Sequence, residues 1–261
     1  MQLRRVAVVY KKTRYEKYMV EERDPAFQQL ADTRPAMWQY LVSVYDDNRR
    51  ALEAVLSGLS RAGVESREIY LADLEAPLHD DLVISVGGDG TLLAASHFVI
   101  DRPVVSVNSS PQSSVGFFSC ATAETFAETL DEIAADALPA YELARMRITI
   151  NGAVFGIPVL NDVLFAHRIP AATTRYSVAL EGRQESHRSS GIWISTAAGS
   201  TAAMRSAGGH VMPLESRALQ YLVRELYRPI GPTYELVGGV IDCPLTIVTN
   251  AMRTSLFIDG H

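Results

Sequence analysis

A chain of 261 residues with a net charge of −6 lacks the basic surplus of a nucleic-acid surface, and it contains no run of about 18 apolar residues able to span a membrane. With 48% apolar and 21% charged residues it has the balance of an ordinary globular protein of one large or two modest domains, without repeats or low-complexity stretches. Cys120 and Cys243 have no CxxC spacing, and "MQLRRVAVVYKK" runs into a strand without a signal-peptide core, which together point to a reducing, cytoplasmic setting.

In chain order, Val6-Ala7-Val8-Val9 reads as the first strand. Residues 11–36 are charged and aromatic and read as a flap or an excursion. "MWQYLVSVYDDNRRALEAVLSGLSRAG" reads as a helix, because Leu52, Val55, Leu56 and Leu59 follow the i, i+3, i+4, i+7 spacing and Gly63 is a natural stop. Strands follow at Val64–Tyr70, Leu82–Val86 and Val104–Val107, the last two joined by a helix over Leu92–Val99. A further helix over Thr125–Ala135 puts Phe126, Leu130 and Ile133 on one face. Strands alternating with helices predict a Rossmann-like α/β domain with a mostly parallel sheet, over residues 1–120.

From there the texture changes. Asn151-Gly152 between two β-prone runs is a two-residue hairpin signal. "YSVALEGRQ" alternates as a half-exposed strand does, and "IDCPLTIV" and "TSLFIDG" read as further strands. Residues 121–261 are therefore expected to form an antiparallel β-rich domain, whose C-terminal end could return to the first. The dispersed histidines give no metal-ligand pattern, and His97 and His210 read as packed or solvated.

The chemistry concentrates in "DLVISVGGDGTLLAAS". A buried strand ends on Gly87-Gly88-Asp89-Gly90-Thr91 before a helix begins. In an open parallel sheet, ligands sit beyond the carboxyl ends of the strands. Glycines there let backbone approach a ligand closely, and a following helix offers free N–H groups to phosphate. The same residues also suit a tight turn capped by Asp89 or Thr91. The stretch is neither a P-loop nor G-x-G-x-x-G. A carboxylate inside a phosphate cradle makes sense if it faces an attacking hydroxyl, as base or orienting acceptor.

Gly-Gly-Asp-Gly-Thr after a buried strand resembles the phosphate-binding motif of the NAD kinases and of their relatives, the diacylglycerol and sphingosine kinases. Leu92-Leu93-Ala94-Ala95 follows, where the lipid kinases have Asn-Glu, so the NAD kinase branch is the closer match. "PVLNDVLFAH" resembles that family's Leu-Asn-Glu segment, with Asn161 matching and Asp162 shortening the acid. "ISTAAGSTAAMRSAGGHVMP" resembles its long Ser-Thr-Pro-Thr-Gly-Ser-Thr-Ala-Tyr segment, matching at Ser195, Thr196, Gly199, Ser200, Thr201, Ala202, Ser206, Ala207, Gly208 and Gly209. There are departures. Ala197-Ala198 replaces Pro-Thr, Ala203 replaces the tyrosine, Ser190 stands where an aspartate is usual, and "NSSPQSSVGFF" stretches the usual Asn-x-Gly-x-x-Gly-Phe. With "KKTRYEKY" near the N-terminus, these look most like the divergent mitochondrial-type branch.

The resemblance implies phosphorylation of the 2′-hydroxyl of the adenosine ribose of NAD or NADH, with ATP as donor and Mg²⁺ or another divalent cation. It makes Asp89 the catalytic base. Gly87, Gly88, Gly90, Thr91, Asn108, Gly199 and Ser200 would bind ATP and its phosphates. Phe117, Asn161, Asp162, Thr201, Ala202 and Ser206 would line the dinucleotide site, with no protein metal ligand assigned. It also implies a homodimer or higher homo-oligomer joined through the β-rich half. Two alternatives stay open: a kinase of the same superfamily acting on another hydroxylated metabolite or lipid, and a non-catalytic nucleotide sensor. An intact Asp89 argues against the sensor.

Overall fold

In the computed structural model, residues 3–231 and 233–260 are described. The chain forms two compact units, Met1–Pro139 and Ala140–His261. The first is an α/β unit on a parallel sheet and the second is antiparallel and β-rich, the fold class that the sequence pattern predicts.

The first unit is built on β1 (Arg5–Tyr10), β2 (Glu65–Tyr70), β3 (Leu82–Gly87), β4 (Val104–Asn108) and β5 (Ala121–Thr122), in the order β2-β1-β3-β4-β5 with every pair parallel. β3 lies at the centre and is buried along its whole length. A sheet buried on both faces needs apolar cover on both, and the chain supplies it. On one side α1 (Pro35–Arg61) lays Ala51, Leu52, Val55 and Leu59 over Val6, Val8, Ile84 and Val107, joined by Phe126, Leu130 and Ile133 of α3 (Phe126–Ala134). On the other side Ala95 and Val99 cover Ala7, Val9 and Val83.

The helix after β3, α2, spans Asp89–Ser96, not Leu92–Val99 as the apolar run suggests. Gly88 is its N-cap, so Asp89, Gly90 and Thr91 are its first turn and not a loop before it. Apolar periodicity cannot register a first turn made of polar and glycine residues. Residues 11–36 fold into three short helical turns, Glu16–Glu21, Pro25–Gln28 and Leu30–Thr33. They are pinned to α1 by rings: Tyr15 lies 5.3 Å from Trp38 and 5.2 Å from Tyr45.

The second unit carries the predicted hairpin at Asn151-Gly152, between β6 (Thr149–Ile150) and β7 (Ala153–Val154), with both turn residues at positive φ as a two-residue turn of this kind demands. Two antiparallel sheets follow. One is ordered β13-β12-β11-β8-β15 and the other β10-β9-β14. The first uses β8 (Asp162–His167), β11 (Gly191–Ser195), β12 (Leu219–Arg224), β13 (Gly238–Ile241) and β15 (Thr254–Ile258), and the second β9 (Thr174–Leu180), β10 (Arg183–Ser189) and β14 (Thr246–Val248). Val163, Phe165, Ile192 and Tyr221 from one meet Tyr176, Val178 and Leu180 from the other in a single core. "YSVALEGRQ" is not one strand: Glu181 (φ 49°) and Gly182 (φ 77°) turn it into the β9–β10 hairpin. "IDCPLTIV" is likewise split into β13 and β14, with Pro244, which cannot donate to a ladder, between them.

Candidate active site

The predicted residues gather into two clusters, one in each unit. The first forms where β3 and β4 end. A Cβ on Gly87 would stand 2.2 Å from Thr91 Oγ1, and one on Gly88 2.6 Å from Ser114 Oγ. Both glycines are required by close approach, because Thr91 folds back over the strand end and Ser114 lies over the helix start. Gly90 differs. It is exposed, and nothing lies within 4 Å of where its Cβ would be, so this part of the turn is open backbone. At the start of α2 the N–H of Thr91 donates to Gly88 O at 2.9 Å, and the N–H groups of Asp89 and Gly90 before it carry the positive end of the helix dipole.

Asp89 does something the sequence did not suggest. Its Oδ2 accepts the backbone N–H of Phe117 at 2.9 Å and its Oδ1 that of Phe118 at 3.0 Å. The carboxylate thus clasps the loop that follows β4. Those two bonds use about half of the acceptor positions of an ionised carboxylate, so a further O–H can still be accepted. The loop is also tied from within. Asn108 Nδ2 donates to Ser114 O at 3.1 Å, and the N–H of Ser110 donates to Asn108 Oδ1 at 3.2 Å. Gly116 sits at φ +60°, and a Cβ there would stand 2.4 Å from Asn108 Nδ2. From α1, Asn48 donates to Ser109 Oγ at 3.1 Å, and Ser110 Oγ donates to Asp47 at 3.3 Å. Phe117 is 48% exposed and meets Phe118 edge-on at 4.9 Å, leaving an aromatic face open to solvent.

The second cluster surrounds the start of β8. Asn161 and Asp162 are buried. Asp259, just past β15, accepts the backbone N–H groups of Leu160 (3.0 Å), Asn161 (2.7 Å) and Asp162 (3.0 Å). Burial, and then the charge of Asp259, push the Asp162 carboxyl up to about 6. The same Asp259 charge acts on Arg145, whose guanidinium burial holds below its usual range. Asn161 Oδ1 is buried without a hydrogen-bond partner, an orphan acceptor of the kind that marks a missing ligand or water.

Against this strand start packs the segment after β11. The N–H of Thr196 donates to Asn161 O at 2.9 Å, and Thr196 Oγ1 donates to Leu160 O. Gly199 admits no side chain: a Cβ would stand 2.1 Å from Asn161 O. Ser200 Oγ donates to Ala197 O at 2.6 Å and accepts the N–H of Met212 at 2.9 Å. Thr201 and Ala202 continue this bend into the short helix α4 (Ala203–Ser206). Ser206 is exposed, its hydroxyl on Ala202 O at 3.4 Å. In this structure Gly199 and Ser200 therefore shape backbone, whereas Asn161 and Asp162 offer unspent polar groups.

Three residues in these clusters escaped the sequence reading, and Thr196 entered it only as a match to the family segment, without a contact or role. Asn48 left a signal, a polar side chain on the apolar stripe of Leu52 and Val55. Asp259 lay inside "TSLFIDG", read only as a strand, and the structure puts it just past the end of β15. Ser114 gave none, since a serine over a glycine is visible only in three dimensions. A cleft of about 810 Å³ in the second unit is lined by Arg175, His187, Tyr227 and Tyr234, but by none of the predicted residues.

The ATP-NAD kinase N-terminal domain family model matches residues 4–138. An NADH kinase of Arabidopsis thaliana is 40% identical over 261 residues, covering 87% of this chain and 79% of that one. An NAD kinase of Prosthecochloris aestuarii is 31% identical over 222 residues, covering 81% of this chain and 74% of its own. In fold the chain is similar to a yeast NADH kinase crystallised with NADH, with a TM-score of 0.69 at 15% identity, over 100% of this chain and 76% of that one.

Proposed function

The chain belongs to the ATP-NAD kinase family, and from that membership we propose that it moves the terminal phosphoryl group of ATP onto the 2′-hydroxyl of the adenosine ribose of NADH or NAD. It is an enzyme of the NAD(H) kinase type. The observation that carries the finer reading is Asp89, a carboxylate fixed by two backbone N–H groups on an open glycine turn at the carboxyl end of the central strand.

In the proposed reaction the ribose hydroxyl donates its proton to Asp89 while its oxygen bonds to the terminal phosphorus, and the bond to the ADP oxygen breaks. Gly87, Gly88, Gly90 and Thr91 present backbone to the phosphates. Asn108 holds the loop that orients Asp89, and Phe117 offers a face to a base. In the second unit the orphan Asn161 Oδ1 suits an N–H donor such as the adenine amino group, and Asp162, ionised above about pH 6, suits ribose hydroxyls. Gly199, Ser200, Thr201, Ala202 and Ser206 shape the backbone around Asn161 and Asp162 in that unit.

Among the described residues, no three His, Cys, Asp or Glu side chains converge as a metal cage. A divalent cation bound with the triphosphate would neutralise phosphate charge, and Asp89 is the carboxylate of the glycine turn that could face it. The greater identity to an NADH kinase favours NADH as the better acceptor. We further propose a cytoplasmic enzyme, supported by two cysteines that both stay free.

The test is turnover of NADH and NAD with ATP and Mg²⁺, the product identified by mass spectrometry and placed at the 2′-position by the phosphorus-to-H2′ coupling in NMR. Folded protein that forms no product from either acceptor, across nucleotide and polyphosphate donors, overturns the reading.

A further inference from the structure

The segment after β1, "KKTRYEKY", has no role in the phosphoryl transfer proposed for Asp89 and the glycine turn. It holds four cations in seven residues: Lys11, Lys12, Arg14 and Lys17. The sheet order β2-β1-β3-β4-β5 takes the chain from β1 outward to β2, then back across β1 to β3. The crevice beyond the carboxyl ends of β1 and β3 is therefore the topological switch point, where open parallel sheets bind ligands. The register pairs Tyr10 with Val86, and the next residues are Lys11 and Gly87. Adjacent strands lie ~4.8 Å apart, so the chain leaves β1 alongside the glycine turn.

The glycine turn has no cation of its own. Residues 87–96 contain no Lys or Arg, and neither do the segments after β2 (71–81), β4 (109–120) and β5 (123–125). Of the five segments leaving the carboxyl edge of this sheet, only that of β1 carries positive side chains. Backbone N–H groups and Asp89 cannot balance a nucleoside triphosphate, which bears roughly four negative charges at pH 7 and is commonly met by a positive side chain. The nearby cations are mostly engaged. Lys12 meets Glu21 and lies 4.4 Å over the Tyr70 ring. Lys17 lies 5.6 Å over Tyr18, Arg49 reaches Glu16 at 3.8 Å, and Arg50 reaches Asp47 at 3.1 Å. Lys11 and Arg14 are exposed, with no acidic partner among the described residues. Their backbone is held by the N–H of Lys17 on Thr13 O at 3.0 Å and by Tyr15 between Trp38 and Tyr45.

We propose that Lys11 and Arg14 bind the β- and γ-phosphates of the nucleoside triphosphate, forming the cationic half of a phosphate site whose backbone half is the Gly87–Thr91 turn. This rests on the kinase reading for the identity of the donor, and its test is arranged to fail separately.

Lys11→Gln, Arg14→Gln and the double variant are compared with wild type in two measurements with Mg²⁺: steady-state kinetics varying ATP and NADH separately, and calorimetric titration with ATP alone. Each single change should raise KM for ATP roughly 10-fold or more, the usual weight of one charge-assisted bond, and the double change roughly 100-fold. KM for NADH should stay within about two-fold and the melting temperature should be unchanged. Arg14→Lys should recover part of the ATP affinity. A double variant that binds ATP as wild type does overturns the inference, and if wild type turns over NADH the kinase reading survives it. Loss of ATP binding in the double variant, with no phosphoryl transfer by wild type, supports the site and overturns the kinase reading instead.

Discussion

Asp89 carries two duties that a single substitution separates only in part. Asparagine keeps the shape but has one acceptor oxygen, so in Asp89→Asn one of the N–H groups of Phe117 and Phe118 meets an amide donor. Turnover should fall roughly 100- to 10,000-fold, the scale of a lost general base, and stability should fall by about 1–3 kcal/mol for the spoiled clasp. Kinetics and denaturant unfolding check the two numbers independently, and near-native turnover would remove Asp89 from the chemistry. Asp162 presents the opposite balance. Its folded pKa of about 6 lies above its ordinary 3.8, so between those values the native state keeps a proton that the unfolded chain has lost. Stability therefore declines as pH rises from about 4 to 6, and the full cost, on the order of 3 kcal/mol, persists above that. Asp162→Asn should be more stable than wild type at pH 8, lose that advantage near pH 4, and bind the dinucleotide poorly. Urea unfolding at the two pH values decides this, and parallel pH profiles for the two proteins would contradict it.

At the scale of elements, the glycines of the two clusters should answer substitution differently. Gly199→Ala drives a methyl into the backbone carbonyl of Asn161, which a rigid strand start cannot yield, and should cost roughly 3 kcal/mol or more. Gly90→Ala meets open space in the first turn of α2 and should leave thermal stability unchanged or raise it by about 0.5–1 kcal/mol, while KM for ATP rises if phosphate approaches that backbone. Melting curves and ATP kinetics of the pair test this, and a destabilised Gly90→Ala would show that the turn is packed and not open. These elements also show what the sequence could disclose. The strands of the first sheet and the Asn151-Gly152 hairpin announce themselves through apolar runs and turn chemistry, which are local. The start of α2 at Asp89 and the β9–β10 turn at Glu181-Gly182 do not, because one is an apolar-free first turn and the other interrupts an alternation that looks continuous. The candidate clusters were legible where unusual residues crowd a short window, as at Gly87–Thr91 and Asn161-Asp162. It was illegible where the partners lie far away in sequence, as Asp259 does from Leu160.

At the scale of the molecule, the antiparallel unit leaves sheet edges at β13, β15, β10 and β14, and Val240 and Val248 there are about half exposed. Unpaired edges with apolar side chains invite pairing, so association through this half, as a homodimer or larger, is expected. Sedimentation at micromolar concentration should show at least a dimer, and a monomer would reject it. The same unit has a property that matters before any enzyme exists. Its β8 strand is closed by a carboxylate 97 residues downstream of Asp162. On a ribosome adding roughly 5–20 residues per second, some 5–20 seconds separate the making of Asp162 from the making of Asp259. The first unit can close during synthesis, because its own residues complete it, whereas the second must hold apolar strands open until its last strand emerges. The nascent chain should thus pass through a state with one half folded and the other dependent on chaperones.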